Sequence, residues 1–453
     1  MDGHLAEAVP MRAVGPARVH GQRWVDVIVA LVFALIAALG SYAGMRRLTT
    51  VVRAPEMSDV WFDGDIPRVS TTITDRWSEK HQRARVHPLF PLITVPAYAA
   101  RAFGVSPRTV VTGFTLIVAF LWPIALFALL RAIGLARTDA AVFTALGLTS
   151  GAAVFWLAVP ESFGLGSVTI MLGLLPAALG RSRHVRDRWY VVASACSLSI
   201  TTTNWSAGLF ATAVKHRWRG TIWISAVALA VVAALARLQR VFVPMAGFFI
   251  GGVGSEQQFV FRPDAERIAV VLRAMFIHSM VIPNLVTIAR VPVCAGALSA
   301  SAGSTALSLQ QASGVTTVWG TVAVCGWIVL LAIALVSAYQ HRRNDRFLWA
   351  VLLFLLAQIA LHLVYGKETF LYAMDYLPAV IIFAAFGAVG KFRRAALVFA
   401  IGVAVVAGVN NVLQFTTASK FVAAEALRSA LVCSPVSGVG HAQDARRPTT
   451  SRG

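Results

Sequence analysis

The run WVDVIVALVFALIAALGSYAG at residues 24–44, preceded by Arg12, Arg18 and Arg23, decides what kind of chain this is. A hydrocarbon layer takes about 20 mainly apolar residues to cross. A signal-peptide core is only ~7 to 15 residues long, so this run is read as a retained span. Short loops rich in Lys and Arg stay on the cytoplasmic side, and the basic flank predicts a cytoplasmic N-terminal tail over 1–23. Outward from this run come further cation clusters: Arg131/Arg137, Arg181/Arg183/Arg186/Arg188, Lys215/Arg217/Arg219, Arg342/Arg343/Arg346 and Lys391/Arg393/Arg394. They recur at every second interruption of the apolar runs. The intervening loops hold nearly all the acids and are expected on the outer face.

Composition agrees with a membrane protein. At 57% hydrophobic and 13% charged residues, there are too few polar side chains to coat soluble domains. The net charge of +20 sits in brief loops between apolar runs, the arrangement of insertion determinants and anionic-lipid contacts, so nucleic acid is not an expected partner. The expected fold class is all-α: a polytopic helical bundle of about 11 spans. The spans are read at 24–44, 109–130, 140–158, 163–179, 190–203, 207–214, 221–235, 318–339, 347–364, 377–389 and 395–413. The pair 190–203 and 207–214 is short and meets at Thr201-Thr202-Thr203-Asn204, which fits a broken or re-entrant hairpin. This organisation predicts a multispan domain over 24–414 with outer loops at 45–108 and 237–316. An outer tail over 415–453 follows, without periodic pattern from about 434. Within the outer loops, 89–105, 241–252 and 268–293 read as interfacial helices, and 295–311 as flexible loop. Cys196, Cys294, Cys325 and Cys433 show no metal-ligand spacing; Cys294 and Cys433 are both expected outside, where a disulfide is permitted.

The first outer loop carries the chemistry. It contains Trp61-Phe62-Asp63-Gly64-Asp65, then Asp75, Glu79, Arg83, Arg85 and His87-Pro88-Leu89. Asp59, Asp63, Asp65, Asp75 and Glu79 are close in sequence and near the membrane surface. The bland reading of Asp63-Gly64-Asp65 is a turn. Five acids in one outer loop instead suggest a site. Glu161, after Pro160, is either a helix-start acid or a second acidic position of that site. Lys367, Glu368, Tyr372 and Asp375 form another outer cluster.

In order and sidedness these residues resemble the polyprenyl-phosphate-sugar-dependent glycosyltransferases of the multispan GT-C fold. Gly64-Asp65 is similar to the Gly-Asp of that family's first outer loop, and His87-Pro88-Leu89 to its later motif. Pro160-Glu161-Ser162 falls where a second acid often stands, and Leu371-Tyr372-Ala373-Met374-Asp375-Tyr376 resembles an aromatic outer motif. The resemblance covers residues 24–179 best. It implies a membrane glycosyltransferase of the plasma membrane, working on its outer face with a lipid-linked sugar donor. Sugar transfer to a hydroxyl needs a base for the acceptor proton and positive charge for the departing phosphate. The implied base is Asp65, with Asp63 as alternate. Arg83, Arg85 and His87 would hold the lipid phosphate, and Tyr372 and Asp375 would contact substrate. Glu161 would orient the acceptor or, with Asp63, offer hard oxygens to a divalent cation. A transporter or lipid flippase is the alternative, although carriers put ionisable groups near the bilayer midplane.

Overall fold

A computed structural model describes residues 16–48, 57–250, 254–290, 304–312, 314, 317–341 and 345–433. The N-terminal Arg12, Arg342/Arg343, Cys294 and the tail from 434 lie outside them, as do the side chains of Arg18, Arg23 and Cys433. The helices are α1 (Pro16–Leu48), α2 (Ile66–Thr74), α3 (Phe90–Ile93), α4 (Val95–Ala102), α5 (Pro107–Ala132), α6 (Arg137–Thr149), α7 (Gly151–Trp156) and α8 (Ser162–Leu179). Next come α9 (Asp187–Ile200), α10 (Trp205–Ala213), α11 (Trp218–Phe242) and α12 (Ala265–Arg273). A hairpin of β1 (Val286–Arg290) and β2 (Ser304–Ser308) precedes α13 (Val318–His341), α14 (Arg346–Val364), α15 (Ala373–Ala385) and α16 (Arg393–Cys433).

The chain is a multi-pass helical membrane protein. Among the described residues, 8 helices are long and apolar enough to cross a membrane: Trp24–Leu48, Pro107–Ala132, Ser162–Leu179, Trp218–Phe242, Val318–Gln340, Arg346–Val364, Thr369–Ala388 and Arg393–Ser429. These coincide with eight of the expected crossings. The other three expected crossings are not single helices of spanning length.

The first of the three, 140–158, breaks at Ser150, whose extended backbone ends α6 and whose hydroxyl caps α7 at Ala153 N. The freed amides of Gly151 and Ala152 donate to the carbonyls of Met280 and Ser279 at 2.9 Å. Asn411 on α16 donates to the carbonyls of Thr149 and Met280 and accepts from Ile282 N. Residues 279–282 are thereby inserted into the bundle with their backbone satisfied, the condition for irregular chain at membrane depth. Gly151 is required here, since a Cβ would stand 2.7 Å from the Ile282 side chain.

The other two are α9, of 14 residues, and α10, of 9, so α9 rises only ~21 Å. They part at the extended Thr201. Segment 86–89 stitches into that gap, with Thr202 N donating to Val86 O at 3.1 Å and Leu89 N to Ser199 O at 2.7 Å.

Three outer-loop expectations change. Of the expected interfacial helix at 268–293, the described residues 268–290 are helical only to His278 before running into β1, and 243–250 are irregular. Part of the expected flexible loop is β2, antiparallel to β1 with Val286 opposite Ser308 and Arg290 opposite Ser304. Its short STALS sequence has too little alternation to announce a strand. Finally, the described part of the tail, 415–433, continues α16, which runs 41 residues, ~60 Å or twice the hydrocarbon thickness. Its extension is held by Glu425, buried, which accepts from Ser304 Oγ at 2.6 Å and Thr305 N at 3.0 Å.

Ion pairs mark one end of the bundle. Asp26, in the N-terminal third of α1, meets Arg131 at the end of α5 and Arg137 at the start of α6. Asp139 meets Arg393 at the start of α16, and Arg181 beyond α8 meets Asp345 before α14. The C-terminal ends of α1 and α14 and the N-terminal ends of α8 and α15 therefore gather at the opposite end. The acids of the first outer loop lie there.

Candidate functional site

The loop before α2 is wedged in place by aromatic rings. Trp61 and Phe62 are fully buried. Trp61 stacks on Phe155 at 5.4 Å between centroids, and Phe62 meets Phe370 edge-on at 5.2 Å. Asp59, Phe62 and Asp63 all take positive φ, of 64°, 51° and 59°. Such backbone is uncommon outside glycine and strained for an aromatic residue. Gly64 gives the loop its close approach, because a Cβ there would be 2.8 Å from Trp61 O and 3.5 Å from Glu161 Oε1.

The strained loop faces a cavity of about 220 Å³. Asp63 and Asp65 line it from the loop, Arg68 from α2 and Arg83 from the 3₁₀ turn 79–85. His87 and Thr201 to Thr203 line it from the stitched α9/α10 gap, Glu161 from the start of α8, Gln358 and His362 from α14, and Tyr372 and Asp375 from the start of α15. Segments distant in sequence thus converge on one concave site.

The carboxyl groups there have different environments. Burial raises the Asp65 pKa, but the Arg68 guanidinium 2.8 Å away outweighs it and holds the carboxyl below the usual range. Asp63 has no such partner; burial, reinforced by the charge of Asp59, pushes it up to about 7. Glu161 is pushed up to about 8 by burial and by the Asp65 charge. Its Oε2 accepts from Ser162 N at 3.2 Å, and the Asp65 backbone amide also lies against the buried carboxyl. Groups whose environments drive their pKa values apart are the usual signature of an acid and a base.

The cations are held in check. Arg83 is paired with Glu256, which also accepts from the Tyr365 hydroxyl. His87 is buried with its Nδ1 2.9 Å from Ile200 O. Burial, with the Arg68 charge, drives its pKa down to about 3. The ring is therefore neutral, with Nδ1 donating to Ile200 O, and carries no positive charge into the cavity.

Deeper in the cavity, Asp375 accepts from Asn204 Nδ2 at 2.9 Å. A Cβ on Gly166 would come within 2.9 Å of Asp375 Oδ1, so the pair needs that glycine. The buried ring of His362 lies 4.9 Å from that of Tyr372 and beside the Tyr365 backbone.

Seven of the eight residues singled out in the sequence line this cavity: Asp63, Asp65, Arg83, His87, Glu161, Tyr372 and Asp375. Arg85 does not. It is exposed and points its stem toward Gly247, because a 3₁₀ turn does not put residues two apart on one side. The five acids also do not form one cluster, since Asp75 and Glu79 are exposed and only Asp63 and Asp65 of the five line the cavity. Glu368 is spent on structure, accepting from Ser308 Oγ and the amides of Leu309 and Phe370. Arg68, Glu256 and Gln358 are lining residues that sequence reasoning did not assign to the site. Only Arg68 carried a signal, its spacing of one helical turn from Asp65. No group of three or more His, Cys, Asp or Glu side chains among the described residues is arranged to hold a metal ion.

In comparisons with known proteins, no family model matches the chain and no curated protein matches it in sequence.

Proposed function

We propose that the protein is an integral membrane glycosyltransferase that moves a sugar from a polyprenyl-phosphate donor to a hydroxyl acceptor at the outer face of the plasma membrane. The observation that carries this reading is the meeting of Asp63, Asp65 and Glu161 with Arg68 and Arg83 in one cavity at the end of the bundle opposite the arginine-rich loops. In the reaction the bond from the anomeric carbon to the phosphate oxygen breaks and a bond to the acceptor oxygen forms. The acceptor proton passes to a carboxylate, and polyprenyl phosphate leaves. Asp63 suits the proton transfer better than Asp65, because a base works best with a pKa near the working pH. Asp65, kept ionised by Arg68, supplies the negative charge that favours an oxocarbenium-like sugar. Arg83 is placed to exchange Glu256 for the donor phosphate, and Glu161 in its protonated form donates a hydrogen bond.

The test is release of polyprenyl phosphate from synthetic polyprenyl-phosphate pentoses and hexoses by purified protein supplied with envelope glycan acceptors. Release that is lost in Asp63→Asn supports the reading. Release from no donor by correctly folded protein overturns it.

One observation favours a carrier as a second reading: Asp375 is buried in a spanning helix and bonded to Asn204 at the α9/α10 break, as in transporters with interrupted helices. Solute accumulation by proteoliposomes without polyprenyl phosphate release, abolished in Asp375→Asn, would establish it.

A further inference from the structure

At the end of the bundle away from the candidate site, α8 and α9 enclose a groove of about 600 Å³. Its walls are apolar. Leu172, Leu175 and Val192 line it, with Leu172 and Val192 exposed by 38% and 49%. Its rim is cationic, carrying Arg183, Arg186 and Arg188 from the α8–α9 loop and the first turn of α9. Trp189, 53% exposed, stands beside them, an aromatic at the depth where a membrane meets water.

These arginines differ from their neighbours at the same end. Arg131 and Arg137 share Asp26, Arg181 reaches Asp345, and Arg393 reaches Asp139. Among the described residues, no carboxylate forms an ion pair with Arg183, Arg186 or Arg188. Lys215, Arg217 and Arg219 in the next loop also form no ion pair among the described residues, but only Arg183, Arg186 and Arg188 line this apolar groove. From Arg188 to Cys196 the α9 wall descends ~12 Å, most of the ~15 Å half-thickness of a hydrocarbon core.

We infer that this groove seats an anionic phospholipid, its phosphate on Arg183, Arg186 and Arg188 and an acyl chain against Leu172, Leu175 and Val192. Guanidinium groups bind phosphate strongly where water is scarce. A zwitterionic lipid would bring its own cation to an already cationic rim, and a soluble anion would leave the apolar walls exposed. The site is independent of the proposed transferase activity, since it shares no residue with the other cavity.

The test is native mass spectrometry of the full chain, released from mild detergent after exposure to phosphatidylglycerol, phosphatidylcholine or soluble glycerol phosphate. Wild type retains phosphatidylglycerol selectively. Combined Arg183→Gln, Arg186→Gln and Arg188→Gln weakens retention by about a hundredfold, at roughly a factor of five per removed cation near a surface. A control that removes as much charge from the next loop, Lys215→Gln with Arg217→Gln and Arg219→Gln, leaves retention intact. Leu175→Trp, which fills the groove and keeps every arginine, also abolishes it. Equal losses in the two charge variants, retention by Leu175→Trp, or phosphatidylcholine held as well as phosphatidylglycerol would each overturn the assignment. So would glycerol phosphate binding as tightly as the lipid.

Discussion

Arg68 donates through Nε and a terminal nitrogen to Asp65 Oδ2, at 2.9 and 2.8 Å. One turn of α2 thus settles which carboxylate of the Asp63-Gly64-Asp65 triplet stays ionised. Asp65 faces the cavity, yet its affinity for a proton is suppressed. Asp63, on strained backbone two residues earlier, keeps an affinity near neutrality.

Removal of Asp63 tests this division. Asp63→Asn should lower transfer by about 10²–10⁴-fold, the usual worth of a general base. Wild-type turnover should rise as pH passes about 7, where the carboxyl becomes the proton-accepting anion. Because the carboxylates interact, that limb belongs to the group as a whole. A limb unchanged in Asp63→Asn, measured by pH–rate profiles, would move the base elsewhere.

Glu161 gives a prediction that needs no substrate. Its folded pKa of about 8 lies above the ordinary 4.5, so the folded state binds the proton more tightly than the unfolded chain. Stability from this group is therefore full below about pH 4.5 and declines as pH rises to about 8. Glu161→Gln removes the decline. Melting curves of wild type and variant should diverge over that window, with the variant the more stable on the alkaline side; parallel curves would show that Glu161 is not held neutral.

The Arg83–Glu256 pair makes opposite predictions for its two members. Arg83→Ala should weaken donor binding by about 10- to 100-fold, the loss of one charge-assisted hydrogen bond of ~1.5–3 kcal/mol. Glu256→Gln frees the guanidinium and should tighten it. Donor titration by calorimetry decides, and weakening in both variants would mean that the pair only braces the loop.

Asn411 holds the break between α6 and α7 against residues 280–282 through three hydrogen bonds. Asn411→Leu orphans buried backbone groups at ~1–3 kcal/mol each. A drop in melting temperature of several degrees in detergent is expected, and an unchanged melt would show that water or neighbouring chain replaces the amide.

The helical, membrane-spanning character of the chain was legible in residues such as 24–44 and 318–339, because a bilayer imposes length and apolarity on each crossing separately. Asp63, Glu161 and Tyr372 were legible for a related reason. Each stands in a segment expected at the same face, and sidedness is a one-dimensional property of the sequence. Position in the loop could not tell Arg83 from Arg85, since a 3₁₀ turn decides which of them reaches the cavity. Nor could it show that Glu256 neutralises Arg83, that 279–282 plugs a broken helix, or that His362 turns inward against Tyr372. Those outcomes depend on contacts between segments up to hundreds of residues apart. Which carboxyl carries the proton is set by burial and by charges brought close only when the bundle closes, and no local pattern records that.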